Sequence, residues 1–139
     1  MTDLFIDTDV IIDFLIDRKP YSREAAIIFT LIENKKLKGY VSSFTFSNLY
    51  YVLRKAESHN KVLLKLDSIS KILTILKVDQ QIIKEAISSV FADFEDGIQY
   101  HCALGSGKID VLITRNTKDY KNSAIPVMTP DDYLKTVSS

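Results

Sequence analysis

The sequence predicts an α/β fold built on a central, mainly parallel sheet of about five strands. Short apolar runs of strand length, such as Leu4-Phe5-Ile6 and Val111-Leu112-Ile113, alternate with longer stretches of helical periodicity. Such alternation implies parallel strands covered by helices on both faces. Two acids, Asp7 and Asp9, stand where the first strand would end. In open parallel sheets, ligands bind outside the carboxyl ends of the strands. An acid buried there needs a cation, a donor or water.

Each element has its own signal. Val10, Ile11, Phe14 and Leu15 resume at helical spacing directly after the first strand. Asp17-Arg18-Lys19-Pro20 reads as a loop, and Ser22 as the N-cap of a helix carrying Ala25, Ile28, Phe29 and Ile32. A strand at Tyr40-Val41 follows. Ser42 or Ser43 can cap the next helix, whose stripe is Phe46, Leu49, Tyr50 and Leu53; Asn48 and Val52 lie on a neighbouring face. Val62, Leu66, Ile69 and Leu73 mark another helix, with a strand expected at Ile75-Leu76-Lys77-Val78. Asp79 caps a helix with Ile82, Ile83, Ala86 and Ile87. Asp93 opens the next, through Phe94, Ile98 and Cys102 to a turn at Gly105-Ser106-Gly107. Asp110–Thr114 is the clearest later strand and Pro126-Val127-Met128 a short last one. Thr129-Pro130 then starts a closing helix with proline at its first position.

The 139 residues amount to one domain, residues 1–139, long enough for a substantial core. Lys plus Arg equals Asp plus Glu, 18 each, so any basic surface must be a local patch. The single cysteine, Cys102, excludes an intramolecular disulfide and suits a reducing cytoplasm. An acidic N-terminus without a long apolar run indicates neither a signal peptide nor a membrane span. The expected location is cytoplasmic.

The chemistry must come from polar residues at strand ends and helix starts: Asp7 and Asp9, the set Asp93, Glu95 and Asp96, and Thr114-Arg115-Asn116 with Asp119. If the first and late strands are neighbours, these sets converge. Carboxylates meeting in a cleft repel one another unless a hard cation neutralises them. Oxygen ligands without paired His or Cys favour Mg²⁺ or Mn²⁺ over Zn²⁺. Plainer roles exist for the same residues. Asp93 suffices as an N-cap with Asp96 favouring the helix dipole, and Asn116 and Asp119 suit a turn. Asp9 and Asp13 read as a helix-start acid and a solvated face. His59 and His101 are isolated. Gly105-Ser106-Gly107-Lys108 is not a phosphate loop, because Ile109 replaces the required Ser or Thr.

In this order the chain resembles the PIN domain, specifically VapC-like toxin ribonucleases of toxin–antitoxin pairs. Phe5-Ile6-Asp7-Thr8-Asp9-Val10-Ile11-Ile12-Asp13 matches the opening block, with Asp9 at the usual Asn. Asp93-Phe94-Glu95-Asp96-Gly97-Ile98-Gln99 matches the third, and Leu112-Ile113-Thr114-Arg115-Asn116 with Asp119-Tyr120 the fourth. Val127-Met128-Thr129-Pro130-Asp131-Asp132-Tyr133-Leu134 resembles the closing strand and helix. The resemblance implies a three-layer α/β/α domain and a Mg²⁺- or Mn²⁺-dependent endoribonuclease. It further implies RNA and a cognate antitoxin as partners, and a homodimer.

By that resemblance Asp7 and Asp96 hold the metal, Asp93 and Asn116 complete or support the shell, and Thr114 hydrogen-bonds within the site. The family's second acid, a Glu, falls at Asn48, which keeps a neutral oxygen but neither charge nor basicity. Asp9 and Asp93 are available to compensate. Arg18, Arg54, Arg115 and Lys118 are candidates for gripping RNA phosphates. Two other readings follow from the same residues. One is a catalytically weak or inactive PIN scaffold for RNA or antitoxin binding, suggested by Asn48. The other is a haloacid-dehalogenase-like phosphatase, suggested by Asp7-Thr8-Asp9-Val10, with Asp7 as a nucleophile.

Overall fold

The computed structural model describes residues 1–137. Five strands, β1 (Thr2–Ile6), β2 (Leu37–Ser42), β3 (Leu73–Leu76), β4 (Val111–Ile113) and β5 (Val127–Met128), form one sheet in the order β3-β2-β1-β4-β5. Every pairing is parallel. The first strand is therefore central, with the late strand β4 beside it, as the convergence of acids requires.

The two faces of the sheet explain why its strands are apolar throughout. Successive side chains of a strand point to opposite faces. Leu4 and Ile6 join one core with Val41 and Ile113, whereas Phe5 joins the other with Tyr40 and Leu112. The first core is covered by α1 (Thr8–Leu15), α2 (Ser22–Glu33), α3 (Ser43–Leu53), α4 (His59–Ile72) and α7 (Pro130–Val137), through Val10, Ile11, Phe29, Leu49, Ile69 and Tyr133. The second is covered by α6 (Phe94–Ser106) through Tyr100, Cys102 and Ala103, with Ile82 of α5 (Gln80–Ile87) at its margin. The result is the expected α/β/α layering.

The caps follow the sequence closely. Ser42, Asp79 and Asp93 each accept a backbone N–H at the start of α3, α5 and α6. The turn after α6 closes on Gly107, whose φ of 67° is left-handed. Three expectations are corrected. Ser22 lies inside α2, whose cap is Tyr21 with no side-chain bond. The strand expected at Ile75–Val78 begins earlier, because Leu73 turns extended at the end of α4 and pairs with Gly39. Asp13, read as solvated, is 1% exposed because two arginines reach it.

Gly39 lies on β2 against Ile32 of α2 and Leu73 of β3. A Cβ there would stand 2.7 Å from both Ile32 Cδ1 and Leu73 Cδ2. Gly39→Val is expected to cost about 1–3 kcal/mol by overpacking, and Gly39→Ala less, because both obstacles are ends of flexible side chains. Urea unfolding of the two variants measures this. Among the described residues no helix is long and apolar enough to cross a membrane.

Candidate active site

The site begins where β1 ends. Asp7 N–H still donates to Ile113 O (2.9 Å), so the backbone remains tied to β4, while Asp7 also caps α1. Its Oδ1 accepts from Thr8 N (2.8 Å). Its Oδ2 accepts from Thr114 Oγ1 (2.8 Å) and from Tyr120 OH (3.2 Å). The same phenol lies 3.4 Å from Asp96 Oδ1, in the first turn of α6. Tyr120 therefore bridges two acids that are far apart in sequence. Asp9 accepts at Oδ2 from Arg115 N (3.1 Å) and Asn116 Nδ2 (3.2 Å). Its Oδ1 is buried without a hydrogen bond.

Asp7, Thr8, Asp9, Asp96 and Asn116 border one cleft of about 330 Å³. Asp7, Asp9, Asn48, Glu95, Asp96 and Asn116 supply most of its polar lining. Ile12, Phe44, Tyr51 and Val52 form an apolar side. Four residues expected at the site, Asp7, Asn48, Asp96 and Asn116, thus share a cleft. Thr114 is fully buried and reaches it through Asp7. Asp93 is not part of the lining; its Oδ1 accepts Asp96 N (2.9 Å), which fixes the start of α6.

The electrostatics follow from crowding. Burial pushes the Asp7 carboxyl up, partly offset by donors from Thr114, Thr8 and Tyr120. Asp9 is raised to about 7 by burial and then by the charge of Asp7. Asp96 is also raised to about 7, by burial first and then by Asp7, Asp93 and Asp119. Burial likewise raises Tyr120, with Asp7 and Asp96 adding to it, so the phenol stays a donor. Three acids thus face one another, and Arg115, which lowers Asp9 but is itself paired with Asp13, offsets only part of that crowding.

The donor set fits a hard divalent ion. Among the described residues, no group of three His, Cys, Asp or Glu forms a ready metal cage. Mg²⁺ does not need one, since it keeps several waters and takes one or two carboxylates. Asp9 Oδ1 is also a buried oxygen lacking a partner. Neither histidine nor Cys102 lines the cleft, so soft or imidazole ligation is not offered there.

The expected phosphate-gripping cations are mostly engaged within the chain. Arg115 forms a two-point contact with Asp13, Arg18 lies 3.6 Å from Asp13, and Arg54 donates to Glu57 O (3.0 Å). Lys118 is exposed. The roles of Tyr120 and Gln99 were not anticipated. Gln99 is buried and donates to Thr8 Oγ1 (3.1 Å) and Thr45 Oγ1 (2.9 Å), while its Oε1 accepts from Ser42 Oγ. That network joins the starts of α1 and α3 to α6 beneath the cleft. A buried phenol needs a partner for its hydroxyl, and this was the available signal for Tyr120.

A sequence model of the PIN domain matches residues 3–118. The chain belongs to the PIN-domain family. This PIN domain is 27% identical over 137 residues to Ribonuclease VapC1 of Aquifex aeolicus (strain VF5), an alignment covering 95% of this chain and 93% of that protein. Among solved structures it resembles a chain of the DNA-bound VapBC of Salmonella typhimurium, with a TM-score of 0.68 and 21% identity. That match covers 94% of this PIN domain and 99% of the other chain. It also resembles a chain of a toxin–antitoxin complex from Klebsiella pneumoniae, at TM-score 0.66 and 24% identity, covering 91% and 97% of the two chains. These structural matches establish the shared fold. Membership of the PIN family leaves the phosphatase reading without support.

Proposed function

We propose that this PIN domain is a Mg²⁺- or Mn²⁺-dependent endoribonuclease and the toxin of a type II toxin–antitoxin pair. The observation that carries the reading is the meeting of Asp7 and Asp96 at one cleft, joined through the Tyr120 hydroxyl. The likeness to a protein named a ribonuclease, along nearly the whole of both chains, supports the choice of substrate. The likeness to chains of VapBC complexes supports an antitoxin as protein partner.

In this reading Asp7 and Asp96 hold the cation directly. The chemistry supplied by such a cation is a lowered pKa for a coordinated water and stabilised charge on the phosphate under attack. The chain does the positioning. Thr8 N–H, Thr114 and Tyr120 fix the Asp7 carboxylate, and Asp93 fixes the turn that presents Asp96. Asn116 supports the shell beside Asp9, and Asn48 contributes a neutral oxygen across the cleft. RNA lies over the cleft, and the protein works as a cytoplasmic homodimer.

Cleavage of a mixed RNA pool with and without Mn²⁺ or Mg²⁺ tests this, with Asp96→Asn beside wild type. Metal-dependent cleavage by wild type, falling at least a hundredfold in Asp96→Asn, is the expected result. Folded wild type that binds RNA yet leaves diverse RNAs intact at millimolar metal would sink the nuclease reading. The scaffold reading, which Asn48 favours, would then stand.

A further inference from the structure

We infer that Asp13 and Arg115 form a positioning device that sets the acids of the cleft for cation binding, an inference that rests on the metal-site reading above. Asp13 lies on α1 one turn after Asp9 and is 1% exposed. Its Oδ2 accepts from Arg115 Nε (2.6 Å) and its Oδ1 from Arg115 Nη2 (3.3 Å). The guanidinium lies 4.0 Å from the centre of the Tyr21 ring. One residue is thus gripped by a carboxylate fork and by an aromatic face, each of which suits a planar guanidinium.

The consequence lies in the backbone of the gripped residue. Arg115 N–H donates to Asp9 Oδ2 (3.1 Å). Its neighbours on either side reach the other acids: Thr114 Oγ1 donates to Asp7 Oδ2 and Asn116 Nδ2 to Asp9 Oδ2. The tripeptide after β4 therefore touches Asp7, Asp9 and Asp13, and only the last contact is an ion pair. A buried ion pair is weak as a source of stability, because desolvation offsets most of the attraction. Its effect here is geometric. With the side chain of Arg115 held, the donors of residues 114–116 meet their acids in a single arrangement. Support of this kind around metal-holding groups is typically worth 10–100-fold in metal affinity.

Arg115→Lys separates geometry from charge, since lysine keeps the charge but loses the fork and the flat face. Mn²⁺ binding to the full chain is measured by calorimetry, with folding checked by circular dichroism. Arg115→Lys is expected to weaken Mn²⁺ binding about 10–100-fold. Asp13→Asn does the same if it folds, and Arg115→Lys carries the test if it does not. Arg18→Gln removes the cation 3.6 Å from Asp13 but leaves the Arg115 fork in place, and is expected to weaken Mn²⁺ binding less than Arg115→Lys does. Unchanged Mn²⁺ affinity in folded Arg115→Lys would overturn the inference while leaving the metal site in place. An equal loss in Arg18→Gln would overturn it too, by assigning the effect to charge. Wild type that binds no Mn²⁺ would remove the metal-site reading itself, and this inference with it.

Discussion

Asp7→Asn is expected to abolish metal-dependent RNA cleavage and, at the same time, to stabilise the metal-free protein at neutral pH. Both effects have one cause. Asp7 is 7% exposed and lies at the centre of a group of acids whose charges Arg115 offsets only in part. In the proposed metal site, loss of this carboxylate removes a charged ligand, which is worth several kcal/mol of transition-state stabilisation. That corresponds to a drop in kcat/KM on the order of a thousandfold or more. The amide still accepts Thr8 N–H through its oxygen, so the start of α1 survives. Thr114 and Tyr120 hydroxyls, donors to Asp7 Oδ2, can instead accept from the new amide nitrogen. Removal of the buried charge also relieves Asp9 and Asp96, both of which Asp7 raises. A thermal melt at pH 8 without metal should therefore give a higher Tm for the variant. A lower Tm with retained cleavage would contradict both the role of Asp7 and the electrostatic account.

Much of this site was legible because its signals are local. Leu4-Phe5-Ile6 followed at once by Asp7 marks a buried strand ending in an acid, and Asp93 with Asp96 marks a helix start. What was missed depends on partners distant in sequence. Asp13 sits on a face of α1 that, read alone, suits a solvated acid; its partner Arg115 is 102 residues away. Tyr120 follows a turn and looks like a simple core aromatic until α6 brings Asp96 against its hydroxyl. The start of β3 was misplaced for a related reason. Leu73 continues the helical spacing of α4, but pairing with Gly39 draws it into the sheet. Tertiary pairing outweighs local periodicity at such a junction.

Stability of the metal-free protein is expected to fall as pH rises from about 4 to about 7, and added Mn²⁺ or Mg²⁺ to restore it most strongly at the upper end. The sign follows from the direction of the shifts. Asp7, Asp9 and Asp96 are all raised, the last two to about 7, whereas carboxyls of the unfolded chain titrate near 4. Between those values the native state holds more protons than the unfolded state, so its stability declines with pH. The stabilisation is complete below the unfolded pKa and is lost as pH passes the native one. Asp96, partly open to water, is more screened than Asp9 and contributes less. A net loss on the order of 2 kcal/mol is expected, equivalent to roughly 5 °C in Tm. A divalent ion at a hundred times its Kd would return a similar amount, about 2.7 kcal/mol at pH 8. At pH 5 protons already occupy Asp9 and Asp96 and compete with the ion, so the same addition should shift Tm little. Asp9→Asn should flatten the pH slope of the metal-free protein. A Tm that rises steadily from pH 5 to pH 8 in wild type and Asp9→Asn alike would show that these acids are balanced within the chain, and the need for a cation would disappear.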